Sequence, residues 1–198
     1  MSWQLVPRKG LGKLDFGMSP AEVAFFEDEY GKLDRVVGAP DLSSSVEETI
    51  RMFGSSFSPE DIAALRKQAA EQASAARRTE VRMGGAVVLD YEQGRLAAIQ
   101  LSPEANMVEM AGSKVFLMSA KQLIELLERE NGMPGRYRLN EASFDKLAVS
   151  LNAFTKIVSE IDFEILADDD PLATEKTLTL REKPYISGET GYFAISAF

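Results

Sequence analysis

The period of the apolar residues between Val81 and Leu101 restricts the fold more than any other feature of the chain. From Val81 to Leu89, apolar residues and one glycine occupy every second position, which is the period of a strand with one buried face. The segment Y-E-Q-G-R-L follows, and a second apolar run extends from Leu96 to Leu101. Two such runs joined by a short turn containing glycine predict a hairpin, so we expect an antiparallel sheet.

One helix is predicted by its caps as well as by its period. Ser119 and Gln122 have the spacing of a capping box, in which each side chain bonds the other residue's backbone N–H. The segment Ala120 to Glu130 then carries four leucine and isoleucine residues on one side, and Gly132 supplies a C-terminal cap. Together with the hairpin, this helix indicates an α+β fold, with an antiparallel sheet and helices packed mainly on one face.

The segment L-D-F-G-M-S-P-A-E-V, residues 14–23, contains the triplet that holds magnesium in protein kinases. Only fourteen residues precede Asp15, which leaves no room for the glycine-rich loop and catalytic loop that a kinase needs. Ser19 and Glu22 instead form a second capping box with proline at the first helical position. We therefore predict a strand that ends near Phe16 and a helix that reaches about Tyr30.

We expect a single domain over residues 1–198, with a helical insertion at 43–79. Alanine dominates the apolar side of the helix predicted in this region, so it is expected to dock weakly. Four further segments complete the prediction: a turn-rich connection at Gly38–Ser45, strands at Met107–Met110 and Lys114–Leu117 that extend the hairpin, and one strand at Lys156–Leu166.

The chain has no cysteine and no histidine, which excludes several kinds of chemistry. Zinc–thiolate sites, cysteine nucleophiles and serine–histidine–aspartate catalysis all need one of these residues. Asp168, Asp169 and Asp170 are consecutive, so their side chains diverge on an extended chain, and they lack the i, i+2, i+4 spacing of a calcium loop. We expect no metal, no cofactor and no catalytic residue, and we read Asp170-Pro171 as a turn or helix cap.

The net charge of −9 is concentrated near the C-terminus. From Glu160 onward there are nine acidic and three basic residues, a combination that repels phosphate backbones and attracts basic proteins. We therefore predict a protein partner rather than nucleic acid, and no membrane association, since no apolar run approaches bilayer length. The absence of a signal peptide predicts cytoplasmic residence. The predicted partner-binding residues are Glu160, Asp162, Glu164, Asp168, Asp169 and Asp170.

The span Leu11–Asp41 resembles the N-terminal signature of small bacterial proteins in which a Gly-Met-Ser-x-x-Glu-Val helix start precedes a Gly-x-Pro turn. Gly17–Val23 and Gly38–Pro40 carry this match. Some members resemble immunity proteins, which bind and block a cognate toxin, and others resemble an envelope assembly lipoprotein and β-lactamase-inhibitor module. The lipoprotein alternative requires a signal peptide and a lipobox cysteine, and neither is found in the sequence.

The resemblance and the charge together predict a non-catalytic bacterial binding protein, an immunity-type inhibitor that uses an acidic surface against a basic toxin. Two alternatives stay open. The first is an enzyme or small-ligand-binding module that uses carboxylates, with or without a divalent metal. The second is a structural subunit that forms homo-oligomers through a sheet edge or through the final segment G-Y-F-A-I-S-A-F.

Overall fold

The computed structural model describes residues 2–38, 42–53, 57–75, 77–159, 162–167 and 169–184. Within these ranges the helices are α1 (Pro20–Ala24), α2 (Glu27–Tyr30), α3 (Leu42–Phe53), α4 (Pro59–Ala75) and α5 (Ala120–Asn131). The strands are β1 (Trp3–Val6), β2 (Gly10–Leu11), β3 (Leu14–Asp15), β4 (Leu33–Gly38), β5 (Arg78–Arg82), β6 (Val87–Glu92), β7 (Arg95–Leu101), β8 (Val108–Met110), β9 (Ser113–Lys114), β10 (Arg136–Arg138), β11 (Glu141–Phe144), β12 (Val149–Asn152), β13 (Thr155–Ser159), β14 (Asp162–Ile165) and β15 (Thr177–Arg181). These elements confirm the predicted α+β class.

The largest sheet has eight strands in the order β10-β11-β12-β15-β7-β6-β5-β4, and every neighbouring pair is antiparallel. The predicted hairpin is present at its centre as β6 and β7, but the prediction of one continuous strand from Val81 to Leu89 is wrong. The strand β5 ends at Arg82, the chain reverses through a 3₁₀ turn at Met83–Gly85, and β6 begins at Val87 as the antiparallel neighbour of β5. A row of directly opposed apolar side chains crosses six of these strands: Tyr137, Ala142, Leu151, Leu178, Leu101 and Val87. All six are buried. The neighbouring row on the opposite face is polar over four strands, with Ser143, Ser150, Thr179 and Gln100.

A second sheet has the order β3-β2-β1-β8-β9, and its β1 and β8 are parallel. This corrects the prediction that the strand at Met107–Met110 extends the hairpin, because Val108 pairs with Trp3 in a different sheet. The second correction concerns Lys114–Leu117, of which only Lys114 is in a strand; Val115–Leu117 form a 3₁₀ turn.

The segment predicted as one strand from Lys156 to Leu166 is a hairpin, so that prediction is wrong. Its strands β13 and β14 pair antiparallel and place Lys156 opposite Glu164. The β-branched residues of the segment indicated a strand conformation, but that composition carries no signal for the turn that divides the segment into two strands.

The predicted helix caps are confirmed. Ser119 accepts a hydrogen bond from the Gln122 backbone N–H, and Gly132 ends α5 in the left-handed conformation at φ 65°. Ser19 makes the same reciprocal bonds with Glu22 at the start of α1. The helix predicted to run to Tyr30 is nevertheless divided into α1 and α2 by a break at residues 25–26.

The connection predicted as turn-rich at Gly38–Ser45 is corrected as well. Gly38 is the last residue of β4, and α3 already begins at Leu42, within the segment predicted as a turn. The helices α3 and α4 pack against each other. Along the chain they connect β4 to β5, and these two strands are neighbours in the sheet. Residues 43–79 thus hold most of this helical pair and the start of β5; the division of the chain into a core and an insertion stays a prediction.

The main core lies between the apolar face of the eight-stranded sheet, the second sheet and α5. Leu123, Ile124 and Leu127 of α5 belong to the same buried cluster as Trp3 of β1 and Phe144 of β11. These contacts place α5 against the sheet but do not fix the side on which the other helices lie. Packing of the helices mainly on one face therefore stays a prediction.

Candidate partner-binding site

The acidic segment after β14 is held in place by a short 3₁₀ turn, Pro171–Glu175. Asp170 caps this turn, because its carboxylate accepts a hydrogen bond from the Leu172 backbone N–H at 2.9 Å. Proline follows at the first position of the turn, where its missing N–H is not needed. The predicted role of Asp170-Pro171 as a turn or helix cap is confirmed.

One lysine lies between two of the predicted partner-binding residues. Lys156 Nζ is 3.3 Å from Glu164 Oε2 and 3.7 Å from Asp170 Oδ2. This contact depends on the hairpin register, which sets Lys156 directly across from Glu164. The lysine offsets part of the local negative charge, while Asp169 next to Asp170 is exposed to solvent.

The structure brings together Glu164, Asp169 and Asp170 among the six predicted residues. Glu160 and Asp168 lie outside the described residues, and for Asp162 only the backbone in β14 is described. Partner binding by the acidic segment therefore stays a prediction, and its described part is centred on the 169–170 loop.

Asp169 and Asp170 line a groove of about 550 Å³ whose opposite wall is apolar. Phe116, Leu117 and Met118 form that wall, and 70% of Leu117 is exposed to solvent. Few leucines in a folded protein are this exposed, and here the exposed leucine faces a groove with a carboxylate rim. The groove therefore combines an apolar wall with negative charge.

The buried Phe154 also lines the groove, and the nearby Lys176 Nζ lies 5.4 Å from the centre of its ring. An ammonium group at this distance from an aromatic ring is attracted to the ring electrons. The groove is thus lined by a cation as well as by carboxylates.

The apolar wall is set by the start of α5. The capping box at Ser119 fixes where the helix begins, and Val115 is fully buried four residues earlier. The 3₁₀ turn between these two fixed points directs Leu117 outward. Sequence reasoning missed this wall, although the run V-F-L-M offered a signal: four consecutive apolar residues cannot all point to one core.

A second, polar cleft of about 400 Å³ lies where β5, β6, β7 and β15 end. It has both charge signs, and two of its carboxylates contact neighbours: Arg77 Nη2 lies 3.5 Å from Glu92 Oε1, and the Thr79 hydroxyl donates to Asp90. Arg181 also lines this cleft and donates to the Ser150 hydroxyl at 2.9 Å.

A carboxylate that acts as a general acid needs a raised pKa. Hydrogen bonds from the backbone N–H and hydroxyl of Ser19 lower the pKa of Glu22. The Ser58 hydroxyl and backbone N–H lower the pKa of Asp61, and the Ser102 hydroxyl lowers that of Glu104. These three carboxylates are held in the charged form, which suits caps and turns. Within the described ranges, no group of three or more acidic side chains is placed to hold a metal ion.

Comparison with profiles of known protein families, with curated proteins and with solved structures finds no match to this chain. The resemblance to immunity proteins, carried by Gly17–Val23 and Gly38–Pro40, therefore stays a prediction. Among the helices in the described part of the chain, none combines the length and apolar character needed to cross a membrane. The case for a function rests on the geometry of the groove.

Proposed function

We propose that this chain is a non-catalytic bacterial binding protein, an immunity-type inhibitor that blocks a basic toxin in the cytoplasm. One observation carries the proposal: the exposed Leu117 lies on the wall of a groove rimmed by Asp169 and Asp170. Interfaces between proteins commonly have an apolar centre that becomes fully desolvated and a polar rim that stays wet.

The two parts of the groove would act on different steps of binding. The net charge of −9 would accelerate the approach of a basic partner, and the rim carboxylates would orient it. Leu117, once buried against the partner, would set the residence time, because most affinity differences arise from the dissociation rate. The inhibitor would work by covering the toxin's substrate site, so it needs no catalytic group of its own.

The test begins with a tagged full-length chain purified from its native cell, together with identification of the protein that binds it. We expect a basic toxin in equimolar amount, whose activity is abolished by the added chain. A partner without toxicity, or a toxin that stays active in the complex, would contradict the inhibitor assignment.

Two substitutions then test the groove itself. Leu117→Ala is expected to weaken binding about tenfold or more, mainly by faster dissociation. Asp169→Lys is expected to slow association and reduce its dependence on salt. Asp170 is left intact because its carboxylate caps the 3₁₀ turn.

Matched controls are available on other surfaces. Leu139→Ala removes another exposed leucine, and Asp28→Lys reverses another exposed carboxylate. Both controls should retain the wild-type affinity. If Leu117→Ala and Asp169→Lys behave like their controls, the groove is not the interface.

A small-ligand-binding module is the second candidate, and the polar cleft with Arg77, Asp90 and Arg181 favours it. A concave site with both charge signs suits a small molecule that carries both. Mass spectrometry of the native protein would then detect a bound small molecule that is lost in Arg77→Ala and retained in Leu117→Ala. The opposite pattern would exclude this cleft.

A further inference from the structure

The edge strand β4 has an unusual surface for the end of a sheet. All six of its residues are exposed, and Val36 and Val37, which point to opposite faces, are 49% and 51% exposed. Of the described strands, β4 pairs only with β5, so no strand in the described part of the chain pairs with the backbone N–H and C=O groups on its other side. Exposed sheet edges with apolar residues such as Val36 and Val37 can pair with another chain.

The opposite edge of the same sheet is protected. There β10 has three residues, and Tyr137 in its middle is fully buried. The ring of Phe163 from β14 stacks on Tyr137 at 4.0 Å, and β13 contacts both β10 and β11. The covering hairpin and the short strand are two recognised ways to prevent edge pairing, and among the described residues β4 has neither of them. The protection that β4 does have is in its first half, where Asp34 and Arg35 are charged and the ladder with β5 is irregular.

The charge on β4 permits pairing between two copies of the chain. The chain as a whole carries −9, but β4 contains one acidic and one basic residue, Asp34 and Arg35. The Asp34 carboxylate already accepts a hydrogen bond from the Gly84 backbone N–H at 2.7 Å. Two copies can therefore approach along this edge without opposing like charges.

Symmetry restricts the register of such a pair. A two-fold axis perpendicular to an antiparallel pair places one residue opposite its own copy. Centring the axis on Arg35 would set two guanidinium groups against each other, which is unfavourable. Centring it on Val36 sets valine against valine and places Arg35 opposite Val37 of the second copy, which is the most favourable arrangement of the exposed residues.

We propose that β4 pairs antiparallel with β4 of a second copy around Val36, joining two eight-stranded sheets into one. This homodimer is independent of the proposed inhibitor function. The pairing is limited in length, because the ladder between β4 and β5 is irregular at Asp34 and regular only from Arg35 to Gly38. So short a ladder covers less than the roughly 1,200 Å² of a stable interface, so we expect a reversible dimer whose amount depends on concentration.

Sedimentation velocity on the full chain tests this proposal. The mean mass should rise from 21.8 kDa toward twice that value as concentration increases from about 5 to about 500 μM. Val36→Lys should raise the dissociation constant at least tenfold, because it places two charges at the axis. Val158→Lys is the matched control, since Val158 is 46% exposed on another strand, and it should dimerise normally.

Hydrogen–deuterium exchange at low and high concentration then locates the interface. Amides among residues 35–38 should exchange more slowly in the dimer, and Val36→Thr, which keeps a β-branched side chain, should retain this protection. A chain that stays monomeric at the highest concentration would overturn the proposal. This outcome would also be seen if β4 paired with a different protein rather than with a second copy. The proposal would also be overturned if Val36→Lys and Val158→Lys changed the dissociation constant of the dimer equally. Slower amide exchange in the dimer at residues outside 35–38, and not within them, would overturn it too.

Discussion

The two ends of the eight-stranded sheet are stabilised by different physical means. At the β10 end, Tyr137 is buried, stacks on Phe163 and donates its hydroxyl hydrogen to Glu128 at 2.7 Å. At the β4 end, the buried groups include a charged pair: Arg82 Nη2 lies 2.9 Å from Glu80 Oε2, and both side chains are almost fully inaccessible. The outermost strand beyond that pair is exposed on both faces.

The contrast explains why one end is closed and the other is available for association. Aromatic and aliphatic contacts give the β10 end a large apolar burial, and the β13–β14 hairpin covers its edge. Most of the ionic network at the β4 end is paired: Glu80 also accepts hydrogen bonds from Arg78 and from the Tyr91 hydroxyl, and Arg82 Nη1 donates to the Gly31 carbonyl. The buried Arg82 Nε has no hydrogen-bond partner among the described residues. A network of this kind favours one arrangement of the strands but adds little apolar surface.

The largest effect is expected from breaking the buried charged pair. Glu80→Gln would leave the buried Arg82 guanidinium without its carboxylate, at a cost of about 3–5 kcal/mol in unfolding free energy. Asp145→Asn provides the comparison, since the Arg136–Asp145 pair has similar geometry at 2.7 Å but is partly exposed. Its cost should be about 1 kcal/mol or less. Urea unfolding monitored by circular dichroism measures the loss of unfolding free energy in each variant. Equal losses would show that the depth of burial does not make the ion pair at the β4 end more important than the one at the β10 end.

A smaller effect is expected from truncating a leucine in α5. Leu127 is fully buried, so Leu127→Ala should cost about 2–5 kcal/mol. The same substitution at the half-buried Leu65 of α4 removes much less contact and should cost about 1 kcal/mol. The free energy of unfolding from urea titration tests the difference. A Leu65→Ala loss as large as that of Leu127→Ala would mean that α4 belongs to the main core.

A still smaller effect is expected at two helix caps with the same chemistry. Ser119 caps α5 and Ser58 bonds Asp61 at the start of α4. Ser119→Ala should lower global stability by about 1 kcal/mol, because α5 is docked on the sheet. Ser58→Ala should instead increase amide exchange within α4, with a smaller change in the melting temperature. Thermal unfolding together with hydrogen exchange separates the two outcomes, and matching global losses would contradict the weak docking of α4.

The smallest difference between the two ends is expected in alkali. Burial raises the pKa of Tyr91 at the β4 end and of Tyr137 at the β10 end, and the charge or hydrogen bond of a nearby glutamate adds to each. Burial likewise raises the pKa of Tyr30 to about 12. An unfolded tyrosine ionises near pH 10, so the stabilisation is complete below about pH 10 and is lost as pH rises toward the folded pKa.

Absorbance at the tyrosinate band checks this expectation. Above about pH 10, the slope of the unfolding free energy against pH reflects the protons released on unfolding. Tyr91→Phe and Tyr137→Phe should each lower that number by about one, and by equal amounts. Ionisation of either tyrosine near pH 10 in the folded protein would show that its ring is reached by solvent.

Short-range signals in the sequence were sufficient for several elements. The caps at Ser19 and Ser119 and the turn at Asp170-Pro171 depend on atoms within three residues of one another, so their spacing predicted them. The turn between β6 and β7 followed from its glycine-containing segment, but the alternating period from Val81 to Leu89 crosses the turn between β5 and β6 and so misplaced the first strand. The strand β4 was missed, because all its residues are exposed and no alternation of buried and exposed positions distinguishes it.

Of the candidate site, the sequence indicated the acidic segment but not its surroundings. Asp169 and Asp170 were predicted as partner-binding residues, and that role stays a prediction. The apolar wall at Leu117 lies more than fifty residues away along the chain, and only the fold places it across from them. The sequence did not predict that Lys156 contacts Glu164, because that contact depends on the turn between β13 and β14, which the composition does not indicate.

By itself, the sequence determined the α+β class, the start of the capped helices and the absence of chemistry that needs histidine or cysteine. The tertiary structure decided that β8 joins β1, that the carboxylates line a groove with apolar residues, and that β4 is an edge among the described strands. The physical reason is range. Caps and periods arise from neighbouring residues, whereas sheet order and groove walls depend on which distant apolar faces are buried together.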